Sequence, residues 1–294
     1  MTTATREATA ERLLRASLDH SYEPATAIDW DAPLLPGAYY QPPERCSLYG
    51  TALWDGLTEE QRIELSKHEV ASIASVGVWF ELILMQMLVR HAYDRDPRTA
   101  HVQYALTEIA DECRHSIMFG RMIEKMDCPA YGPGRLATAL GRFFKTTSMG
   151  PLIFAAALYV EEILDARQRE AMRDDSLQPL TREVSRIHVV EEARHIRYAR
   201  AEVATRFAKL PKGVQERERF VLSTVAVVAT RNLIHPGCYA AVGLDPKEAR
   251  RVARNNPYWK ETQRFAARRA VAFFKENGMI GGPGVLNWKR LGLL

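Results

Sequence analysis

Cysteine is scarce in this sequence. The four present (Cys46, Cys113, Cys128, Cys238) show no paired spacing. That excludes a disulfide framework and a thiolate-rich metal site, and it reads as reduced thiols in a cytoplasmic protein. Charge of one sign is lacking too: 40 basic residues face 36 acidic ones, a net +4 that is too balanced for a nucleic-acid-binding surface. Residues 1–7 carry no apolar signal core. The longest apolar runs, near 151–160 and 220–229, fall short of the roughly 20 residues that span a bilayer, so no membrane partner is expected. Period-two alternation is missing over any useful length, which argues against a sheet.

What remains is helical periodicity. With 294 residues and 47% hydrophobic composition the chain supports a large core, read here as a single all-α domain spanning 1–294. A short amphipathic helix over 4–19 would carry Leu13, Leu14 and Leu18 on one side. Residues 25–49, rich in proline and aromatics, follow no period and read as an extended arm over the body, giving an N-terminal unit of 1–50. Thr58-Glu59-Glu60-Gln61 has the form of a capping box. Helices then follow at about 58–93, 98–126, 134–146, 151–173 and 177–208, separated by Asp-Pro, Gly-Pro and Asp-Asp-Ser breaks. The central bundle is placed at 58–209. Helices near 214–234, 245–254 and 257–276 and a Gly/Pro-rich tail complete 214–294.

The chemistry gathers around residues 187–195. His188, Glu192 and His195 are spaced by four and seven residues from the first, which returns them to one helix face within about 40°. Two imidazoles and a carboxylate converging from one helix suit a transition metal such as iron. A second copy stands at 111–115: Asp111-Glu112-Cys113-Arg114-His115 against Glu191-Glu192-Ala193-Arg194-His195, both acid-Glu-x-Arg-His. Each motif glutamate has a partner in an apolar helical run upstream. The separation is 31 residues from Glu81 to Glu112 and 31 from Glu161 to Glu192. Glu161 is preferred to Glu162 because it shares a face with Phe154, Ala157, Leu158 and Leu164. Glu81, Glu112, His115, Glu161, His188, Glu192 and His195 therefore form the candidate metal set. Four buried carboxylates need a counter-charge, and two divalent ions supply it.

Glu112 with Glu192, or one of them with Glu161, is expected to bridge the ions. The acids that precede each motif glutamate belong to a supporting layer: Asp111 would accept from His195 and pair with Arg194, and Glu191 would do the same for His115 and Arg114. His20, His68, His91 and His101 lack useful spacing. His235 near Arg231 reads as a helix cap.

These residues resemble the ferritin-like di-iron oxygenases, which implies a four-helix bundle core with helices added at both ends. The extra His188, four residues before the second motif glutamate, is similar to the third histidine of the arylamine N-oxygenase family. The resemblance covers roughly residues 50–235. It implies two iron ions (manganese being the other choice), O2 as co-substrate, N-oxygenation of an arylamine-type small molecule in secondary metabolism, and a homodimer. It also implies an external electron donor, a ferredoxin or a reductase, since no flavin, haem or nicotinamide motif is present. The arginines at 114 and 194 are closer to the Asp-Glu-x-Arg-His of bacterial multicomponent hydroxylases. C-hydroxylation of a small or carrier-bound substrate is therefore the alternative, with a di-manganese catalase behind it.

Overall fold

The computed structural model describes residues 3–294. Among them every regular element is a helix. In chain order these are α1 (Thr3–Asp19), α2 (Pro24–Ala27), α3 (Ala52–Asp55), α4 (Glu59–Tyr93), α5 (Ala100–Lys125), α6 (Arg135–Thr147), α7 (Pro151–Ala171), α8 (Pro179–Arg206), α9 (Lys212–Asn232), α10 (Gly237–Ala241), α11 (Pro246–Asn255), α12 (Pro257–Glu276) and α13 (Val285–Arg290). The ends follow local chemistry. Thr58 and Gln61 form the reciprocal capping box, with Thr58 Oγ1 accepting from Gln61 N at 3.3 Å and Gln61 Oε1 accepting from Thr58 N at 3.0 Å. Proline opens α7, α8, α11 and α12, where its missing N–H has no partner to lose.

The core is an all-α, ferritin-like bundle of two helix pairs. α4 packs along α5 and α7 along α8, and the pairs meet through α4–α7 and α5–α8 contacts. α7 is the most enclosed helix: every residue from Pro151 to Asp165 is buried. α9 and α12 cover its outer side, and α1 lies across α5 and α8. α6 rests on α4 at Gly141, where a Cβ would stand 2.4 Å from the Trp79 ring, so only glycine permits this approach.

Three sequence expectations change. The buried face of α1 is Thr9, Ala10, Leu13 and Ser17, while Leu18 is 86% exposed. Leu18 sits 500° of helical rotation from Leu13, about 140° around the wheel, so the two cannot share a face. The arm is not wholly extended: it contains most of α2 and a 3-10 turn at Pro43–Arg45, each opened by a proline. α4 is long and apolar enough to cross a membrane by length and composition, although 56% of its most apolar window lies inside the molecule. Reading uninterrupted runs passed over it because Glu81 and Gln86 divide its apolar stretch.

Candidate metal centre

The bundle gathers the predicted ligands from its four helices: Glu81 from α4, Glu112 and His115 from α5, Glu161 from α7, and His188, Glu192 and His195 from α8. All seven are buried. Their donor atoms fall into overlapping groups within 4.8 Å: Glu112, His115, Glu192 and His195; Glu81, His115 and His188; Glu161, His188 and Glu192. Glu112 and Glu192 hold the middle. His115 Nδ1 lies 3.2 Å from Glu112 and 3.3 Å from Glu192, and His195 Nδ1 lies 3.2 Å from Glu112 and 2.9 Å from Glu192.

Both motif histidines thus turn Nδ1 inward and Nε2 outward. His115 Nε2 meets Glu191 at 2.7 Å, and His195 Nε2 meets Asp111 at 3.1 Å. These partners come from the opposite motif, so each acid orients the other copy's imidazole. The arginines do not follow the same symmetry. Arg194 reaches Asp111 at 3.3 Å, but Arg114 pairs with Asp111 three residues back on its own helix and with Ser21, not with Glu191. The i, i+3 geometry of α5 brings Arg114 to Asp111 before it can cross the bundle. The second oxygen of Glu191 is taken instead by the backbone N–H of Tyr22 at 2.8 Å. Arg194 donates to the carbonyl of His20 at 2.8 Å, so the segment after α1 closes over this layer.

His188 enters differently. Its Nδ1 donates to the Gln168 amide oxygen at 2.6 Å, and its Nε2 faces Glu192 at 3.7 Å and Glu81 at 3.8 Å. Sequence reading missed Gln168, although it follows Glu161 by seven residues and so shares its face. It also missed Ser116, whose hydroxyl donates to Glu81 at 2.6 Å, and Glu108, buried one turn before Glu112. Glu162 points away to Arg200, and Asp165 pairs with Arg169 at 2.7 Å and Arg269 at 3.2 Å. Tyr159 donates to or accepts from Thr230 at 2.7 Å, against Trp288. His235 Nδ1 accepts from Gly237 N at 3.0 Å.

Electrostatically the four carboxyl groups of the centre outnumber its three imidazoles. Burial, then repulsion from Glu192, Glu112 and Glu81, pushes the Glu161 carboxyl well above the usual range. Burial raises Glu81 as well. It also disfavours charge on Glu192, but the charge of His195 and hydrogen bonds from His115 and His195 outweigh that and hold it well below the usual range. Burial opposes protonation of His115 and His195, yet the surrounding carboxylates raise both well above the ordinary imidazole value. Five buried atoms that aim into this space have no hydrogen-bond partner: Oε1 of Glu81, Oε1 of Glu112, Oε2 of Glu161, Oε2 of Glu192 and Nε2 of His188. Stranding a buried acceptor costs about 1–3 kcal/mol. Four carboxyl oxygens and an imidazole nitrogen around one space fit divalent cations of the iron or manganese type, whose charge would favour the ionised carboxylates.

A second histidine cluster was not anticipated, because its members come from different helices. His91 Nε2 lies 3.1 Å from His101 Nε2, and Tyr198 OH meets His101 Nδ1 at 2.9 Å. Glu202 is the acid of this group, but Arg6 takes it at 2.7 and 2.9 Å and also meets His101 Nε2 at 3.0 Å. A guanidinium therefore already supplies the cation there.

Beside Glu161 opens a cavity of about 390 Å3 between α4, α6, α7 and α9. A smaller space of about 60 Å3 lies on the Gln168 side.

A family model described as p-aminobenzoate N-oxygenase AurF matches residues 3–278. Uncharacterized proteins of Mycobacterium bovis and Mycobacterium tuberculosis are 28% identical over 284 residues, which is 94% of this chain and 76% of each relative.

Proposed function

The chain belongs to the p-aminobenzoate N-oxygenase AurF family, and from that premise we propose that it is a non-haem di-iron oxygenase that oxygenates the nitrogen of an arylamine in secondary metabolism. The observation that carries this reading is the convergence of five unpartnered donor atoms, from Glu81, Glu112, Glu161, Glu192 and His188, on one buried space. Two iron ions bound there would supply the activation of O2 that organic side chains cannot perform.

The chain's own residues then have distinct tasks. Glu112 and Glu192, each within reach of both Nδ1 atoms, would hold the ions from the middle of the site. His115 and His195 would give one nitrogen each, and Glu81 and Glu161 would hold the ions through their carboxylates. His188 would add a third neutral nitrogen, which would set this site apart from a symmetric two-histidine centre. Asp111 and Glu191 lock the imidazole tautomers by accepting from Nε2, so Nδ1 keeps its lone pair for the metal. The cavity beside Glu161 brings the amine to the centre and keeps water away from it. Reducing equivalents come from a separate ferredoxin or reductase.

The test is turnover of iron-loaded, chemically reduced protein with an arylamine under 18O2, read by mass spectrometry. The reading requires the label on nitrogen, as hydroxylamine or nitroso product. Label on ring carbon would move the assignment to a C-hydroxylase. Brisk disproportionation of H2O2 by a manganese-loaded protein, without labelled product, would move it to the catalase class.

A further inference from the structure

The cavity of about 390 Å3 has a particular charge distribution. Its walls are aromatic and aliphatic, with Trp79, Phe80, Phe144 and Val160 around the space and Leu140, Phe143 and Phe220 at its lip. The lip residues are exposed, by 38%, 67% and 49% respectively. Among the described residues its lining carries two charged side chains, Glu161 at the metal end and Arg217, and three hydroxyls, those of Thr147, Ser148 and Thr224. Arg217 is no interior anchor, because its side chain is 66% exposed and lies 3.9 Å from Glu218.

A carboxylate at the end of this space away from Glu161 would lose its hydration with no buried cation, and only the Thr147, Ser148 and Thr224 hydroxyls, to replace it. An uncharged aromatic surface meets walls that are mostly aromatic and aliphatic, and the volume lies within the range that holds ligands larger than one ring. The exposed apolar lip removes the desolvation barrier at the entrance for such a molecule.

We propose that the cavity selects an uncharged, predominantly apolar arylamine larger than a single ring, and discriminates against ring carboxylates. The amine nitrogen points to Glu161 and the apolar body lies along α6 and α9. This rests on the oxygenase reading for its chemistry, but the binding preference stands on the cavity alone.

The probes are 4-aminobiphenyl and 4-aminobenzoate, titrated calorimetrically into the iron-loaded protein, with iron content measured on the same sample. We expect 4-aminobiphenyl to bind at least tenfold more tightly. Val225→Phe, which fills the α9 wall outside the metal set, should weaken that binding at least tenfold with iron content unchanged. Ala157→Phe, on the α7 wall, should do the same and guards against a folding artefact in either variant. The proposal is overturned if 4-aminobenzoate binds as tightly or better, if neither probe binds, or if both wall variants bind 4-aminobiphenyl like the parent. A failed preference in a protein holding two irons removes this inference only. A preserved preference in a protein that holds no iron removes the di-iron reading and leaves the binding site standing.

Discussion

Gln168 accepts a hydrogen bond from Nδ1 of His188 at 2.6 Å, and this single contact decides which nitrogen of His188 faces the centre. With Nδ1 protonated toward the amide, Nε2 carries the lone pair toward Glu81 and Glu192. Gln168→Leu removes the acceptor and frees both the tautomer and the ring angle. Loss of such an outer partner typically lowers metal affinity by about 10–100-fold. A chelator competition on the variant is predicted to show a drop of about tenfold in affinity for one of the two ions. An unchanged isotherm would mean that His188 is not held as a ligand.

Asp111→Asn and Glu191→Gln test the crossed acids. Each meets the outward nitrogen of the other motif's histidine. We predict a loss of about tenfold in iron affinity for each, by the same competition. Arg114→Ala should cost less, because Arg114 touches Asp111 and Ser21 but neither imidazole. Equal losses in all three would show that the layer acts through charge and not through orientation.

Glu161→Gln separates function from stability. The buried carboxyl is pushed well above its usual range by burial and by Glu192, Glu112 and Glu81. Above about pH 4.5 the unfolded chain gains by ionising this group and the fold does not, so burying this carboxyl costs stability. The variant is predicted to be more stable than the parent by about 1–3 kcal/mol in metal-free protein at pH 7. It should be less stabilised by added iron. Urea unfolding with and without iron reads both effects, and a metal-free variant less stable than the parent would contradict the assignment of Glu161 as an uncompensated acid.

The His91–His101 pair predicts a response to acid. Burial is the first cause of both shifts: it pushes His91 down to about 3 and lowers His101 as well. The unfolded chain takes up protons near pH 6.5 while the fold does not. Stability is therefore full above about 6.5 and falls as the pH drops toward 3. At pH 5 the His91 contribution amounts to about 2 kcal/mol. His91→Phe, which keeps the ring packed against Phe154, should flatten the decline in melting temperature between pH 7 and 5. An equally steep decline in the variant would assign the acid sensitivity elsewhere.

The sequence made the bundle and its ligand set legible because both rest on helical periodicity. Glu81 and Glu161 stand out as acids inside apolar runs, and the 31-residue spacing ties each to a motif. Gln168 escaped notice because a neutral amide in a helix carries no charge anomaly, although its seven-residue offset from Glu161 marks the same face. Arg114 was assigned the wrong partner by extending the motif symmetry across the bundle, where a side chain on its own helix was closer. Contacts between distant segments were not legible at all: His101 joins Tyr198 and Arg6, and Tyr22 reaches Glu191. They depend on how helices with no shared period come to lie side by side. The cavity belongs to the same class, since its walls come from four helices.

The most direct test of the account is the iron content of protein reconstituted anaerobically with ferrous ion, measured per chain and combined with Mössbauer spectroscopy. The account predicts two irons per chain in an exchange-coupled pair once oxidised, and loss of that pair in Glu112→Ala and Glu192→Ala. Less than one iron per chain after reconstitution, or isolated uncoupled iron indifferent to both substitutions, would contradict it.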